Sequence, residues 1–315
     1  MHRLLFVFVD GVGLATAGPA NPLAALPTPA LRGLLGGPLV REAVQEGDGL
    51  LLAPLDACLG VPGLPQSATG QTTLFTGVNA ARHMGRHVTA FPGPRLQAIL
   101  GEASVLRRAV DAGHAVTFAN PFTDAYFEQV DQRRRRHSAT TWAALAADLP
   151  LRGREDLLAG RAVAWDVVRD RFSAAVAAAG EAPVPTVAPR RAGEDLARLA
   201  AAHHLTLWET FLPDLAGHHR FGITAAEAVE RLDGLLGGVL SSRPRDVTLL
   251  LTSDHGNLED ATHRRHTRNP VPLLTAGPAA GRFAGLASIE EVAGRVLEVL
   301  APGYAADERR EWAGR

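Results

Sequence analysis

The stretch Leu4-Leu5-Phe6-Val7-Phe8-Val9, followed at once by Asp10-Gly11, decides the fold. Six consecutive apolar residues without polar alternation predict a strand buried on both faces, as in parallel sheets. Similar apolar runs recur at residues 115–118, 205–208, 247–251 and 270–274. Helical stretches lie between these runs, at residues 104–112, 193–202 and 225–240. This alternation predicts an α/β domain with a mostly parallel central sheet flanked by helices.

Length and composition favour a globular protein with a large core. The chain has 315 residues, about twice the ~150 residues that serve as a prior for one domain. With 46% hydrophobic and 21% charged residues, wholesale disorder is excluded. The apolar run at residues 4–9 is too short for a membrane span or a signal peptide. We therefore expect a cytoplasmic protein.

Charge and cysteine content exclude several function classes. The formal net charge is −1, so no global field attracts nucleic acid or a membrane. Cys58 is the single cysteine, which excludes an intrachain disulfide and a cysteine-based zinc site. All 32 basic residues are arginine, so Schiff-base chemistry and P-loop nucleotide binding, which need lysine, are excluded. Any catalytic cation must then be an arginine or a metal ion.

The middle of the chain differs in character from the rest. We expect a core built from residues 1–120 and 191–315, with residues 121–190 as a small inserted cap. This middle part contains a helical stretch at residues 140–149 and the run Arg133-Arg134-Arg135-Arg136. The arginine run is interpreted as a solvated face, with contact to an anionic substrate as the alternative. A polar helix is expected after Pro302.

Acidic and imidazole groups follow three of the predicted strands. Asp10 ends the first strand, Asp214 follows the strand at 205–208, and Asp254-His255 follows the strand at 247–251. Because ligands in open α/β sheets bind beyond the carboxyl ends of strands, these groups are expected at one site. One such aspartate is easily explained as a helix cap, but three with nearby histidines are not.

The spacing of these residues favours a transition-metal centre. Asp214 and His218 are four residues apart, so one helical turn points both side chains the same way. His266 begins the stretch His-Thr-Arg-Asn-Pro-Val-Pro. Mixed carboxylate and imidazole ligands suit Zn²⁺ or Mn²⁺ and disfavour Ca²⁺. Five or six such ligands exceed one tetrahedral site and predict two divalent ions.

A hydroxyl nucleophile is expected in Gln66-Ser67-Ala68-Thr69-Gly70, just before a predicted helix. A hydroxyl at a helix N-terminus lies where backbone N–H groups and the dipole stabilise a phosphate. Taken alone, Ser67 is more simply explained as a helix cap. Thr69 is the competing nucleophile.

Five motifs in order resemble one family. They are Asp10-Gly11-Val12-Gly13, Gln66-Ser67-Ala68-Thr69-Gly70, Asp214-Leu215-Ala216-Gly217-His218, Asp254-His255-Gly256-Asn257 and His266-Thr267-Arg268-Asn269-Pro270-Val271-Pro272. Together they resemble the alkaline-phosphatase superfamily, in the branch of cofactor-independent phosphoglycerate mutase and phosphopentomutase. The resemblance implies an alkaline-phosphatase-like core with two metal ions. One ion would be held by Asp214, His218 and His266, and the other by Asp10, Asp254 and His255. Ser67 would be the phosphorylated nucleophile and a ligand of the second ion.

Several neighbouring residues leave alternatives open. His266 is preferred over His263 because it begins the run that matches the family. Ser67 is preferred over Thr69 because the mutase branch that the motifs resemble carries its hydroxyl three residues before the glycine. Asn257 is expected to orient a metal ligand. Arg82, Arg86 and His87, together with His83, are either a solvated face or a clamp for the substrate phosphate. His219, His203 and His204 are interpreted as surface or packing residues.

The predicted function is phosphomonoester hydrolysis through a phosphoserine, acting on a small phosphorylated substrate. The alternatives are a phosphomutase, a phosphodiesterase, and a non-catalytic protein that binds metal or a phosphorylated ligand. Only 146 residues separate Ser67 from Asp214. After the core elements in this interval are subtracted, about 70 residues remain, which is small for a domain. The mutases resembled here place a full second domain in this interval, and the phosphoglycerate mutases also use a lysine near the phosphate. A small cap without lysine therefore favours hydrolysis over transfer.

Overall fold

One seven-stranded sheet organises the computed structural model, which describes residues 2–47 and 49–301. Its strands are β1 Arg3–Val9, β2 Gln45–Gly47, β3 Leu50–Leu55, β4 Val116–Phe118, β5 Leu205–Thr210, β6 Val247–Thr252 and β7 Val271–Ala276. Their spatial order is β2-β3-β7-β6-β1-β5-β4. The first strand of the chain thus lies in the interior of the sheet, between β6 and β5.

Five of the seven strands run in the same direction. β6, β1, β5 and β4 pair in parallel, with Val7 opposite both Trp208 and Leu251. β7 is antiparallel to its neighbours β6 and β3, and β2 is antiparallel to β3. The expected α/β fold with a mostly parallel sheet is confirmed. The run at 270–274 does form a strand, but that strand is antiparallel because a loop, not a crossover helix, joins it to β6.

Helices cover both faces of the sheet. They are α1 Pro22–Ala25, α2 Pro29–Leu35, α3 Ser67–Thr76, α4 Ala80–Met84, α5 Pro94–Ala103, α6 Val105–Asp111, α7 Asp124–Asp131, α8 Ala139–Ala146, α9 Arg154–Leu158, α10 Asp170–Ala178, α11 Pro189–Ala202, α12 Leu212–Gly217, α13 Ala225–Ser242 and α14 Val292–Leu300. The helices expected near 104–112, 140–149, 193–202 and 225–240 correspond to α6, α8, α11 and α13. Two strands, β2 and β3, were not expected.

Burial on both sides explains the unbroken apolar run of β1. Leu4, Phe6 and Phe8 point into one core cluster, with side chains of α3, α6, α8 and α14. Leu5, Val7 and Val9 point into the opposite cluster, with side chains of α2, α11 and α13. Since alternate residues of a strand face opposite sides, each of these positions must be apolar.

The predicted insertion, residues 121–190, is distributed over several parts of the structure. Helix α8 packs in the same core cluster as β1. A separate small cluster contains Leu157, Phe172 and Val176, which come from α9 and α10. The run Arg133–Arg136 is exposed, and the guanidinium groups of Arg135 and Arg136 lie over the rings of Tyr126 and Phe91. The role of this segment as a cap stays a prediction.

Two further expectations concern a helix near the C-terminus and membrane-spanning segments. The polar helix expected after Pro302 lies outside the described residues. Within residues 2–47 and 49–301, no helix combines the length and the apolar composition that a membrane crossing requires.

Candidate active site

Three neighbouring strands deliver the predicted acidic residues to one edge of the sheet. Asp10 follows β1, Asp214 lies on α12 just after β5, and Asp254 follows β6. Because β5, β1 and β6 are adjacent and parallel, their carboxyl ends meet. The backbone amide of Asp214 also donates to the carbonyl oxygen of Asp10 at 3.1 Å, which fixes α12 against the end of β1.

The first cluster of side chains is centred on His255. Its Nε2 atom lies 3.2 Å from Oδ1 of Asp10 and 3.6 Å from Oδ2 of Asp254. The hydroxyl oxygen of Ser67 lies 3.0 Å from the same nitrogen. Asp10, Asp254 and His255 are all buried. These are the residues that the family resemblance assigns to one ion.

The second cluster is centred on Asp214. Its Oδ1 atom lies 3.3 Å from Nε2 of His218 and 3.4 Å from Nε2 of His266, and these two nitrogens are 3.0 Å apart. The two clusters touch, since the rings of His255 and His266 stack with centroids 3.7 Å apart. Ligand atoms of Asp214, His255 and His266 also lie within 4.8 Å of one another, so His255 borders both clusters.

Backbone carbonyls orient both histidines of the second cluster. Nδ1 of His218 is 2.7 Å from the carbonyl oxygen of Arg264, and Nδ1 of His266 is 2.7 Å from that of Pro65. A carbonyl only accepts, so each Nδ1 carries the proton. The Nε2 atoms of both rings therefore face Oδ1 of Asp214. This arrangement can hold a proton donated from a ring to the carboxylate, or a cation bound by all three atoms.

The donor sets fit a pair of divalent ions. Ligands bound to a tetrahedral ion at about 2.0–2.1 Å lie roughly 3.4 Å apart, similar to the 3.0–3.6 Å separations within each cluster. Oδ1 of Asp10 and both carboxylate oxygens of Asp254 are buried without a hydrogen-bond partner among the described residues. Buried charges left unpaired are costly, so these oxygens indicate ligands of an ion.

Burial and the neighbouring charges shift the pKa values of the ionisable groups in the two clusters. Burial raises the pKa of Asp254 to about 7, with the Asp214 charge adding to the effect. Burial and then the charge of Asp254 raise the pKa of Asp10 well above its ordinary value. Burial lowers the pKa of His255 to about 3. Burial also opposes ionisation of Asp214, but hydrogen bonds from His218 and His266 hold its pKa below the usual range.

The two candidate hydroxyls occupy different surroundings. Ser67 is the first residue of α3 and is partly exposed, with its oxygen against His255. Thr69 is fully buried, where its hydroxyl donates to the carbonyl of Gln66 and accepts from the amide of Val88. The structure therefore brings Ser67, and not Thr69, to the cluster centred on His255.

Three polar residues of the site have no recognisable signal in the sequence. Gln71, one turn after Ser67 on α3, donates to Oδ2 of Asp10 at 3.1 Å. Glu259 is buried and accepts from the amides of Gly13 and Asn257 and from the side chains of Thr267 and Asn269. Glu259 thereby ties the loop after β1 to the loop between β6 and β7.

The third of these residues is Glu209, at the end of β5. Burial raises its pKa to about 8, although the hydroxyls of Thr140 and Ser138 donate to its carboxylate. The Asp254 charge adds to this rise. Only the position of Glu209 five residues before Asp214 could have drawn attention to it.

Close backbone packing is required where α12 meets β1. Gly11 has φ +78°, and a Cβ there would lie 2.7 Å from Cα of Asp214. Only glycine fits such a conformation and such a contact. Asn257 lies nearby, and its Nδ2 donates to Oδ1 of Asp214 at 2.8 Å. Asn257 therefore contacts a candidate ligand, and its role in orienting that ligand stays a prediction.

The remaining candidates lie around the site. Nε2 of His87 is 3.2 Å from the carbonyl of Val61, whereas Arg82 and Arg86 are exposed on and just after α4. His263 is 3.5 Å from Asp260, outside both clusters. His203 and His204 bind backbone groups far from the clusters, and His219 follows α12. The clamp role of Arg82, Arg86 and His87 stays a prediction.

The comparisons with known proteins agree with this class of site. Residues 191–301 match the Metalloenzyme superfamily, which implies divalent metal ions. A 2,3-bisphosphoglycerate-independent phosphoglycerate mutase from Desulforudis audaxviator is 40% identical over 96 residues, which are 28% of this chain and 19% of that protein. A phosphopentomutase from Hahella chejuensis is 28% identical over 233 residues, covering 69% of this chain and 53% of that protein. The matched regions therefore span only a fifth to a half of these relatives.

The fold is that of alkaline phosphatases. A cold-active alkaline phosphatase from Shewanella sp. superposes with a TM-score of 0.53 at 15% identity, covering 95% of this chain and 100% of that chain. The resemblance predicted from the five motifs is confirmed. At this identity the structural likeness defines the fold and leaves the reaction open.

Proposed function

We propose that the protein is a two-metal phosphomonoesterase that acts on a small phosphorylated substrate through a phosphoserine at Ser67. The observation that carries the proposal is the 3.0 Å separation between the Ser67 hydroxyl and Nε2 of His255 at the N-terminus of α3. The substrate phosphate would lie in front of this hydroxyl. The positive end of the α3 helix dipole would stabilise its negative charge.

The reaction would have two displacement steps at phosphorus. The Ser67 oxygen forms a bond to phosphorus while the bond to the alcohol leaving group breaks. Water then attacks the phosphoserine, which releases inorganic phosphate and restores the hydroxyl. Two Mn²⁺ or Zn²⁺ ions, held by the Asp10 and Asp214 clusters, would lower the pKa of a bound hydroxyl and neutralise phosphate charge. Gln71, Asn257 and Glu259 keep the ligands and their loops in position.

Hydrolysis is preferred over transfer because few residues are left to form a cap that would shield the phosphoserine from water. Helix α8 belongs to the main core, so only part of the segment 121–190 is available to form a cap. Transfer to a second position of the substrate requires that the phosphoserine be shielded from water. The chain also contains no lysine. We place this reaction in the cytoplasm.

A phosphomutase is the second candidate, and the names of the relatives favour it. ³¹P NMR of the Mn²⁺- or Zn²⁺-loaded protein with 3-phosphoglycerate or ribose 1-phosphate separates the two reactions. We expect inorganic phosphate to accumulate with little isomer. Stoichiometric conversion to the isomer without free phosphate would establish the mutase instead.

A further inference from the structure

A cavity of about 570 Å³ lies directly beside the second cluster. Its lining residues are Leu64, Asp260, His263, Arg265, His266, Thr267, Arg268 and Asn269. His266 belongs both to this wall and to the cluster around Asp214. The volume suits a small molecule. A substrate whose phosphate is at Ser67 can therefore extend its other end into this space.

Two unpaired guanidinium groups line this cavity. Arg265 and Arg268 are exposed, and within residues 2–47 and 49–301 neither side chain makes an ion pair or a hydrogen bond. Asp260 is the one acid among the lining residues, and its carboxylate already binds Thr262 and lies 3.5 Å from His263. The wall therefore keeps net positive charge that is free to meet a ligand.

Arg268 is also within electrostatic reach of the loop that precedes Ser67. Burial lowers the pKa of His87, and the Arg268 charge adds to this decrease. Burial raises the pKa of Cys58, and the same charge opposes that increase. Arg268 therefore lines the cavity, and its charge reaches both Cys58, before Ser67 in the chain, and His87, after it.

An exposed arginine without a partner is ordinarily just solvated. Arg265 and Arg268 differ from such residues because they share one concave wall, next to a metal-ligand histidine. A guanidinium binds carboxylate or phosphate through two parallel hydrogen bonds, which gives both affinity and orientation.

We propose that Arg268, assisted by Arg265, binds a second anionic group of the substrate in this cavity. The substrate class is then a small phosphomonoester that also carries a carboxylate or a second phosphate. This inference rests on the proposed function, because that function places the reacting phosphate at Ser67. Arg268 would be the main specificity-determining residue, and the metal clusters would bind the phosphate common to all substrates.

Binding of two matched ligands tests the assignment without turnover. O-phosphoserine and phosphoethanolamine differ only by a carboxylate. Isothermal titration calorimetry would measure the Kd of each ligand. The protein is loaded with Mn²⁺ and carries Ser67→Ala in every sample, so that no ligand is turned over. We expect Arg268→Gln to raise the Kd of O-phosphoserine about 10- to 100-fold and that of phosphoethanolamine less than threefold. Arg268→Lys should recover part of the loss, since it keeps the charge but not the paired hydrogen bonds.

Arg245→Gln is the matched control. Arg245 is also exposed and makes no ion pair in the described ranges, but it precedes β6 at the opposite edge of the sheet. It should leave both Kd values unchanged. Equal effects of Arg268→Gln on the two ligands, or no effect on either, would overturn the inference, as would failure of both to bind. Selective loss of O-phosphoserine binding in a protein that turns over no phosphoester would reject only the proposed function.

Discussion

Ser67 and His255 are 188 residues apart in the chain, yet the serine oxygen lies 3.0 Å from Nε2 of the histidine. Tight packing of α3 on the loop after β6 produces this contact. A Cβ at Gly70, on the first turn of α3, would lie 2.9 Å from the carbonyl oxygen of Asp254. The position of the hydroxyl is therefore set by two rigid elements, as a nucleophile requires.

Replacement of Ser67 tests the nucleophile. Ser67→Ala should lower kcat by several orders of magnitude, because the covalent route is lost. Thr69→Ala should have a much smaller effect, since the hydrogen bonds of the buried Thr69 hydroxyl, among the residues that the structure describes, are to backbone groups of Gln66 and Val88. Steady-state kinetics measures both variants. Peptide mapping of a trapped phosphoenzyme should find the phosphate on Ser67, and a phosphate on Thr69 would reverse the assignment.

Metal content tests the two clusters. The purified protein reconstituted with Mn²⁺ or Zn²⁺ should contain close to two ions per chain by elemental analysis. Asp254→Ala or His255→Ala should reduce this content and abolish turnover, because each removes a ligand from the Asp10 cluster and His255 also borders the other. His203→Ala, at a histidine bound to the carbonyl of Leu199, is the control. Full activity in protein without bound metal contradicts this expectation.

A glycine substitution tests the packing of α12 against β1. Gly11→Ala adds a Cβ 2.7 Å from Asp214 and forces an alanine to φ +78°. We expect a loss of stability of about 1–3 kcal/mol and weaker metal binding, because Asp214 must move. Gly18→Ala is the matched control, since a Cβ there has nothing within 4 Å. Thermal unfolding and metal titration measure both effects. Equal behaviour of the two variants would show that the close approach at Gly11 is unimportant.

A buried carboxylate outside the site predicts a pH dependence of stability. Asp166 is buried, and its side chain accepts from the backbone amides of Arg169, Arg171 and Phe172. Burial raises its pKa to about 6, and Asp170 adds to the shift. Since the unfolded value is about 3.9, the folded state binds this proton more tightly. The resulting stabilisation is complete below about pH 4 and is lost as pH rises through about 6.

The measurement is thermal unfolding of wild type and Asp166→Asn between pH 4.5 and 7.5. The variant has lost one acceptor oxygen, so its absolute Tm is not the readout. Relative to the variant, the wild type should lose several degrees as pH rises through about 6. Parallel pH profiles of the two proteins would contradict the raised pKa.

Apolar runs were sufficient to predict most of the sheet. The strands β1, β5 and β6 are buried on both faces, and burial of this kind leaves an unbroken pattern such as Leu4–Val9 in the sequence. Strand β3 was missed because Pro54 interrupts its apolar residues, and prolines are rare within strands. The direction of β7 was not predictable from its own residues, because direction depends on the connection that precedes the strand.

The proximity of the candidate ligands was predictable where they follow strands or occur in motifs. Asp10, Asp254 and His255 are directly beyond strand ends, and Asp214 and His218 share one helical turn. Glu259 was missed because its role depends on donors up to 246 residues away, such as the amide of Gly13. A carboxylate that binds backbone amides leaves no periodic or spaced pattern.

Because β1 lies between β5 and β6, the acidic residues of the site and the long crossover of the chain occupy different parts of the sheet. The acidic ligands arrive from three adjacent strands, whereas the chain from residue 119 to 204 enters and leaves the sheet on the far side, between β4 and β5. Helices α8 and α11 of that crossover pack in the two core clusters, so any exchange of the crossover must keep both helices. In such a scaffold the segment between α8 and α11, which contains the small cluster of Leu157, Phe172 and Val176, can change in sequence while the three adjacent strand ends keep their positions.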